Sequence, residues 1–418
     1  MINILHITAH LGGGVGKFLS GLVEQSSHYS NFKHTIICLE KSKDRQFINI
    51  INKYGNVIEN PSVYEVEKLI KETDIVHLEY WNHPILIKYL CYINFPPMRL
   101  LVCNHNNGLY NPIIPNKLII DSDKFIFTTE CSYKNEEILK LVDKNKFGVV
   151  HTSGGFKEKY NTNNKDKILV GYAGSFNFAK LHPDYSEFIN EIDIPDFKVK
   201  MIGNPLNRDI LEKQSDRFEF TGFVPDIYSE FEKINVLAYL LNPKHYGTTE
   251  NVLIEAMSVG IVPIVLNNPA ESCIIENKKT GFIVNSPKEF KEVVEFLSEN
   301  PIERRKIGNN AILFVRSKYS IENTIICLNE YYDKIITKEK HIIDFKSIFG
   351  NTPDEWFLSC QKNKYVYKED GNIDLKNINK YEKYILLEES KGSVFHFSKY
   401  FPDNLKLKLW SDNLKRLL

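Results

Sequence analysis

The residues best suited to chemistry lie between His245 and Val265. His245-Tyr246-Gly247-Thr248-Thr249 reads as a tight loop, residues 250–259 as a helix and 262–266 as a buried strand. Gly247 can take backbone angles closed to other residues. Thr248 and Thr249 are good N-cap residues for a helix beginning near Glu250. Val252, Glu255, Ala256 and Val259 recur at helical spacing, and Gly260 ends the run. A helix N-terminus offers free N–H groups and partial positive charge, which suit a phosphate. Glu255 lies one to two turns in, where a carboxylate can accept two hydrogen bonds from neighbouring hydroxyls, as a ribose offers. On this window alone, an amphipathic helix with a surface Glu is an equally good reading.

Other polar loops follow apolar runs, where an α/β fold places function. Leu11-Gly12-Gly13-Gly14-Val15-Gly16-Lys17 follows the first run and opens a helix. It is no phosphate-binding P-loop, since Leu11 and Phe18 stand where Gly and Ser or Thr are required. Glu79-Tyr80-Trp81-Asn82-His83-Pro84 follows 74–78, and Glu79 and Trp81 are expected to contact an acceptor. Asn104-His105-Asn106-Asn107-Gly108 follows 100–103. Gly174 to Lys180 and Phe220 to Asp226 occupy similar places further on. Asp121-Ser122-Asp123 reads as a solvated turn, and no spacing in the chain suggests a metal site.

The elements that must position these loops alternate. Strands are expected at 2–7, 34–39, 74–78, 100–103, 125–128 and 147–150, with helices such as 17–24 and 62–72 between them. A turn-rich linker spans 151–167. The pattern restarts with strands at 168–172, 198–202, 218–220, 236–240, 262–266 and 282–284, and helices follow over 301–339. Alternation of this kind predicts parallel sheets covered by helices on both faces. The chain has 418 residues, 43% hydrophobic and 25% charged, with formal net charge +0. That suits a globular protein of two or three domains without a global basic field for nucleic acid. Seven scattered cysteines, several within apolar runs, suggest buried thiols in a reducing cytoplasm. No apolar run reaches the roughly 20 residues a membrane span needs.

The loop, the helix with Glu255-Ala256-Met257 and the strand Gly260-x-x-Pro263-x-Val265 resemble the donor site of retaining glycosyltransferases of family 4, which have the GT-B fold. In that family the helix carries two glutamates in an E-x7-E pattern. Glu255 matches the second, which binds the ribose. The first, which contacts the transferred sugar, falls on Gly247; Glu250 is nearby but out of register and is kept as a catalytic candidate. The resemblance implies further roles. Gly13 and Gly14 would face the donor phosphate or the acceptor. His105 would lie near the donor sugar, and Lys180 would neutralise the diphosphate leaving group. Ser175 stands where the family has an arginine, whose charge Arg208 or Lys244 could replace. Gly222, Phe223 and Val224 would hold the base through backbone groups. Gly247, Thr248, Thr249 and Asn251 would line the phosphates.

The expected architecture is therefore α/β, two tandem Rossmann-like doubly wound domains. Residues 1–160 would form the acceptor side, 165–339 the donor side and 340–418 a C-terminal extension for acceptor or partner recognition. The expected activity is retaining transfer of a hexosyl or N-acetylhexosaminyl group from a UDP-linked sugar to a glycan or lipid-linked acceptor. Bacterial surface polysaccharide assembly is its expected setting, with no cofactor, metal or nucleic acid. The enzyme would be cytoplasmic. The amphipathic stretch 405–418 offers peripheral contact with the inner face of the membrane, although packing on the protein body is favoured. Two alternatives stay open: a non-catalytic nucleotide-sugar-binding subunit, and another GT-B enzyme such as a sugar-nucleotide 2-epimerase.

Overall fold

The computed structural model describes residues 2–29, 31–43, 45–141, 144–157, 165–204 and 206–417. The chain forms two compact units, one of Met1–Gly155 with Ile321–Leu418 and one of Phe156–Ser320. The linker residues 158–164 lie outside the described residues.

The first unit holds a seven-stranded parallel sheet: β1 (Ile2–Thr8), β2 (Phe32–Cys38), β3 (Asn56–Glu59), β4 (Ile75–Tyr80), β5 (Leu100–Asn104), β6 (Lys124–Phe127) and β7 (Phe147–Val149). Their order is β3-β2-β1-β4-β5-β6-β7. The sequence reading lacked β3, a short segment with no fully buried residue. β4 and β5 are buried along their whole length, as central strands covered on both faces must be. Helix Gly13–Tyr29 packs closely on the segment after β7, where a Cβ at Gly21 would stand 2.7 Å from the Gly154 carbonyl.

The second unit holds a six-stranded parallel sheet: β8 (Val170–Ala173), β9 (Val199–Ile202), β10 (Phe218–Gly222), β11 (Val236–Tyr239), β12 (Val262–Leu266) and β13 (Phe282–Val284). Their order is β10-β9-β8-β11-β12-β13. Arg304, fully buried, ties helix Pro301–Lys318 down by donating to the Leu297, Lys165 and Asp166 carbonyls at 2.6, 2.7 and 2.8 Å.

The structure redraws the expected boundaries. Helix Ile321–Ile335 belongs to the first unit, because its apolar stripe Ile321, Ile325, Leu328, Tyr332 and Ile335 is buried against Ile4, Phe18 and Leu22. Residues 340–418 are no separate module. Their helices insert Trp356, Phe357, Phe397 and Trp410 into the core that holds Leu86, Ile87, Leu118 and Phe125. In helix Leu405–Arg416 the buried face is Leu407, Trp410 and Leu414, while Leu417 is exposed, so the packing reading prevails there. No helix among the described residues is long and apolar enough to cross a membrane. Cys38, Cys91, Cys103, Cys131 and Cys360 are buried as expected, but Cys327 is exposed.

Candidate active site

Two polar networks stand at carboxyl ends of strands, one in each unit. In the second unit, the loop after β8 is turned by Asn177, whose side chain accepts the Ala179 N–H at 2.9 Å. The Lys180 carbonyl accepts the Asn242 N–H at 2.7 Å, which pins this loop to the segment after β11. Lys180 Nζ donates to Glu250 Oε2 at 2.9 Å, and the Tyr239 hydroxyl donates to the same oxygen at 2.5 Å. Burial alone would raise the Glu250 pKa, but Lys180, His245 and the Tyr239 hydroxyl outweigh it and hold the carboxyl below its usual range. The Gly247 N–H donates to His245 Nδ1 at 3.0 Å, so Nε2 carries the proton and donates to Glu271 Oε2 at 2.9 Å. Asn268 Nδ2 donates to the other Glu271 oxygen at 3.0 Å.

The helix begins one residue later than expected. Glu250, not a threonine, is the N-cap of Asn251–Ser258, in the left-handed region at φ 42°. This backbone turn sends its side chain back over the loop. A Cβ at Gly247 would overlap Glu250 Oε1, so Glu250's carboxylate occupies the space that a side chain at position 247 would enter. Thr248 and Thr249 are buried beside it, and Glu255 is buried within the helix. Asn251 Oδ1 is buried at the helix N-terminus with no hydrogen-bond partner among the described residues.

The other donor-side candidates are dispersed around the same sheet. Ser175 Oγ accepts the Asn177 N–H at 3.3 Å and so shapes the loop rather than supplying charge. Arg208 is paired with Glu212 at 2.6 Å and lies over the Phe220 ring at 5.1 Å. Gly222 has φ 74°, Phe223 is 77% exposed and Val224 is half-buried. Tyr239 and Glu271 were missed by the sequence reading. Their signal was position: Tyr239 ends a strand, and Glu271 follows Asn268-Pro269, a helix start directly after β12.

In the first unit, strand register sets His6 of β1 beside His77 of β4. Glu79 is fully buried among histidines. Its Oε1 lies 2.8 Å from His6 Nδ1 and 3.4 Å from His77 Nε2, and its Oε2 lies 2.6 Å from His105 Nε2. His6 Nε2 pairs with His34 Nδ1 at 2.9 Å, and His77 Nδ1 pairs with the Tyr332 hydroxyl at 2.7 Å. Burial would raise the Glu79 pKa, but His77, His105 and His6 outweigh it, so the group stays ionised. Glu79 therefore cannot touch an acceptor as expected; it is enclosed because it sits on the inner side of a central strand.

Trp81, its expected companion, is half-buried, with Lys391 Nζ 5.3 Å above its ring and Nε1 without a hydrogen-bond partner among the described residues. Asn106 lay in a loop already noted, without an assigned role. It is buried with both amide atoms unpartnered among the described residues. Gly13 and Gly14 open helix Gly13–Tyr29, with Gly13 at φ 54°. Asp123 proves structural, accepting the Leu100 N–H at 2.8 Å. Spacing gave no sign of metal ligands, yet among the described residues the fold brings three groups of His, Cys and carboxylate side chains together with ligand atoms within 4.8 Å of one another, all in the first unit. Two of them share Glu79 and are internally hydrogen-bonded.

Residues 156–314 match the family model described as glycosyl transferases group 1. The chain matches no curated protein in sequence. Among solved structures it is similar to a glycosyltransferase from Rickettsia africae, at 16% identity and TM-score 0.63, covering 81% of this chain and 99% of that one. HepE from Anabaena, in complex with UDP-glucose, is similar at 14% identity and TM-score 0.63, with coverage of 80% and 100%. The lipopolysaccharide outer core galactosyltransferase WaaB is similar at 16% identity and TM-score 0.58, with coverage of 80% and 100%. At such identities the likeness shows the fold, two Rossmann-like parallel-sheet domains of GT-B type. The family match over residues 156–314 and this shared fold together support a glycosyltransferase.

Proposed function

We propose that the chain is a retaining glycosyltransferase that takes a sugar from a UDP-linked donor bound on the second unit. The acceptor, a glycan or lipid-linked sugar, binds on the first. The observation that carries this reading is the Lys180–Glu250 pair beside the N-terminus of helix Asn251–Ser258, within the segment that matches the glycosyltransferase family. Lys180 keeps 30% of its side chain exposed while Glu250 is enclosed, so the ammonium is the member of the pair that a phosphate can reach. HepE's complex with UDP-glucose supports a UDP-linked donor. The Glu255 carboxylate is assigned to the ribose hydroxyls, as the motif resemblance implies.

In this mechanism the bond between the anomeric carbon and the β-phosphate oxygen breaks, and its electron pair stays on the phosphate. Lys180 and the N–H groups at the start of Asn251–Ser258 stabilise that charge. The acceptor oxygen bonds to the same face of the sugar, and its proton passes to the leaving phosphate. No protein nucleophile is required. The setting we assign is bacterial surface polysaccharide assembly, in the cytoplasm beside the membrane. The alternative of a non-catalytic binding subunit rests on Gly247 and Ser175. The Gly247 argument weakens, because the Glu250 carboxylate fills the space of a side chain at 247.

The test is release of UDP from UDP-sugars by the full chain in the presence of glycan acceptors, with Lys180→Ala as the variant. Loss of a charge-stabilising group should lower kcat about 10²–10³-fold while uridine binding changes little. Wild-type kcat in the folded variant would remove Lys180 from the mechanism. Donor binding without any turnover would favour the binding-subunit reading.

A further inference from the structure

The histidine network of the first unit has a fixed direction. Glu79 is ionised and so only accepts hydrogen bonds. Its Oε2 takes its hydrogen bond from His105 Nε2 at 2.6 Å, which places the His105 proton on Nε2. Its Oε1 takes the proton of His6 Nδ1 at 2.8 Å, and His6 Nε2 then accepts from His34 Nδ1 at 2.9 Å. Each link dictates the tautomer of the next. Among these rings His105 is the most exposed, with 11% of its side chain accessible, against 0% for Glu79, His6 and His77 and 5% for His34. With Nε2 committed inward, its Nδ1 carries the lone pair on the other side of the ring.

We propose that Glu79 is a positioning residue that locks His105 in the Nε2–H tautomer, so that Nδ1 is presented as a hydrogen-bond acceptor to a sugar hydroxyl. The sugar as ligand rests on the function proposed above; the tautomer lock does not. An acceptor nitrogen selects a hydroxyl that donates and rejects a carbonyl or phosphate oxygen at that position, because two lone pairs would then face each other. The carboxylate suits this task better than an amide. Glu79 accepts from His105 and His6 at once, and a glutamine has a single side-chain oxygen. In Glu79→Gln one of the two histidines must reverse. His6 cannot reverse without also reversing His34, whereas His105 reverses alone, so His105 is the ring that gives way.

The experiment is long-range proton–nitrogen NMR on the histidine-labelled full chain, with His105 assigned by its loss in His105→Gln. The wild type should show His105 protonated at Nε2 and unprotonated at Nδ1. Glu79→Gln should exchange this pattern, and Glu79→Asp, which keeps two carboxylate oxygens, should retain it. A wild-type His105 protonated at Nδ1 overturns the proposal without any variant, and so does an unchanged pattern in a folded Glu79→Gln chain. Kinetics form a separate arm. Loss of one hydroxyl contact should lower kcat/KM roughly tenfold in Glu79→Gln. The expected tautomers without any donor turnover would overturn the transferase reading and leave the lock standing.

Discussion

The two units solve the same electrostatic problem with different partners. Each places a carboxylate at the carboxyl end of a parallel sheet and hides it from water: Glu79 in the first unit, Glu250 in the second. Glu250 is balanced by the permanent charge of Lys180, whose flexible stem leaves the ammonium partly in solvent. Glu79 is balanced by imidazoles, whose protons are held in hydrogen bonds and largely sealed from water, His105 being the most exposed of these rings. A partly exposed cation can exchange its carboxylate for a phosphate. A ring of enclosed histidines cannot exchange partners; it can only orient the one ring that faces outward. Exposure of the counter-group, more than the identity of the acid, separates the pair we propose to bind phosphate from the network we propose to position His105.

The comparison can be broken most severely in the first unit. Truncation after Lys340 removes Trp356, Phe357, Phe397 and Trp410 from a shared core, so the shortened chain should be insoluble. Soluble expression with normal transfer would show that the tail is dispensable and that the first unit's core lies elsewhere. Next, Glu79→Ala should lower unfolding free energy by about 3–5 kcal/mol, the usual cost of breaking a buried charged network. Urea denaturation measures it, and a loss under about 1 kcal/mol would mean the network is only marginally coupled to folding.

Smaller effects sharpen the contrast. Glu255→Gln should weaken UDP binding by about 1.5–3 kcal/mol, a tenfold to hundredfold rise in Kd by calorimetry. Unchanged affinity in the folded variant would sink the ribose assignment.

Two buried histidines, His77 of the first unit and His245 of the second, should carry pH dependences of opposite sign. Burial lowers the His77 pKa to about 3, so between there and its ordinary 6.5 the unfolded chain holds a proton that the folded chain lacks. Stability therefore falls as pH drops below 6.5, by up to about 1.4 kcal/mol per pH unit for one group. Glu79 acts in the same direction below its ordinary 4.5, since its folded pKa is depressed. His245 behaves oppositely: burial would lower its pKa, but Glu271 and Glu250 raise it. Its contribution is complete below 6.5 and is lost as pH rises through the raised value. Unfolding followed across pH should show His77→Asn flattening the acid limb and His245→Asn the alkaline limb. The reverse assignment would refute the comparison.

Much of the fold was legible because parallel strands buried on both faces write themselves as apolar runs between turn residues, and among the described residues 12 of the 13 strands were read from the sequence, the half-exposed edge strand β10 with its alternating Phe218 and Phe220 included. β3 was not, since its apolar run is only Val57 and Ile58. The tail was misread for a related reason. Its aromatic clusters announced burial, but which surface they cover depends on pairings hundreds of residues apart, such as Tyr80 OH with Cys360 Sγ at 3.4 Å.

The sequence by itself determined the α/β class, the loop–helix–strand around Glu255 and the position of Lys180 after the first strand of the second sheet. Each of these is local, set by spacing within one turn or one strand. Only the tertiary structure decided what the polar side chains do. Glu79 and Trp81 are near neighbours in sequence, yet β4 turns one into the sheet's interior and leaves the other at its end. Gly247 lacks a carboxylate in sequence, yet the left-handed backbone at Glu250 returns one to the same space. Charge balance is a property of three-dimensional neighbours: the partners of Glu79 come from β1, β4 and the end of β5, and those of Glu250 lie 5, 11 and 70 residues away in the chain.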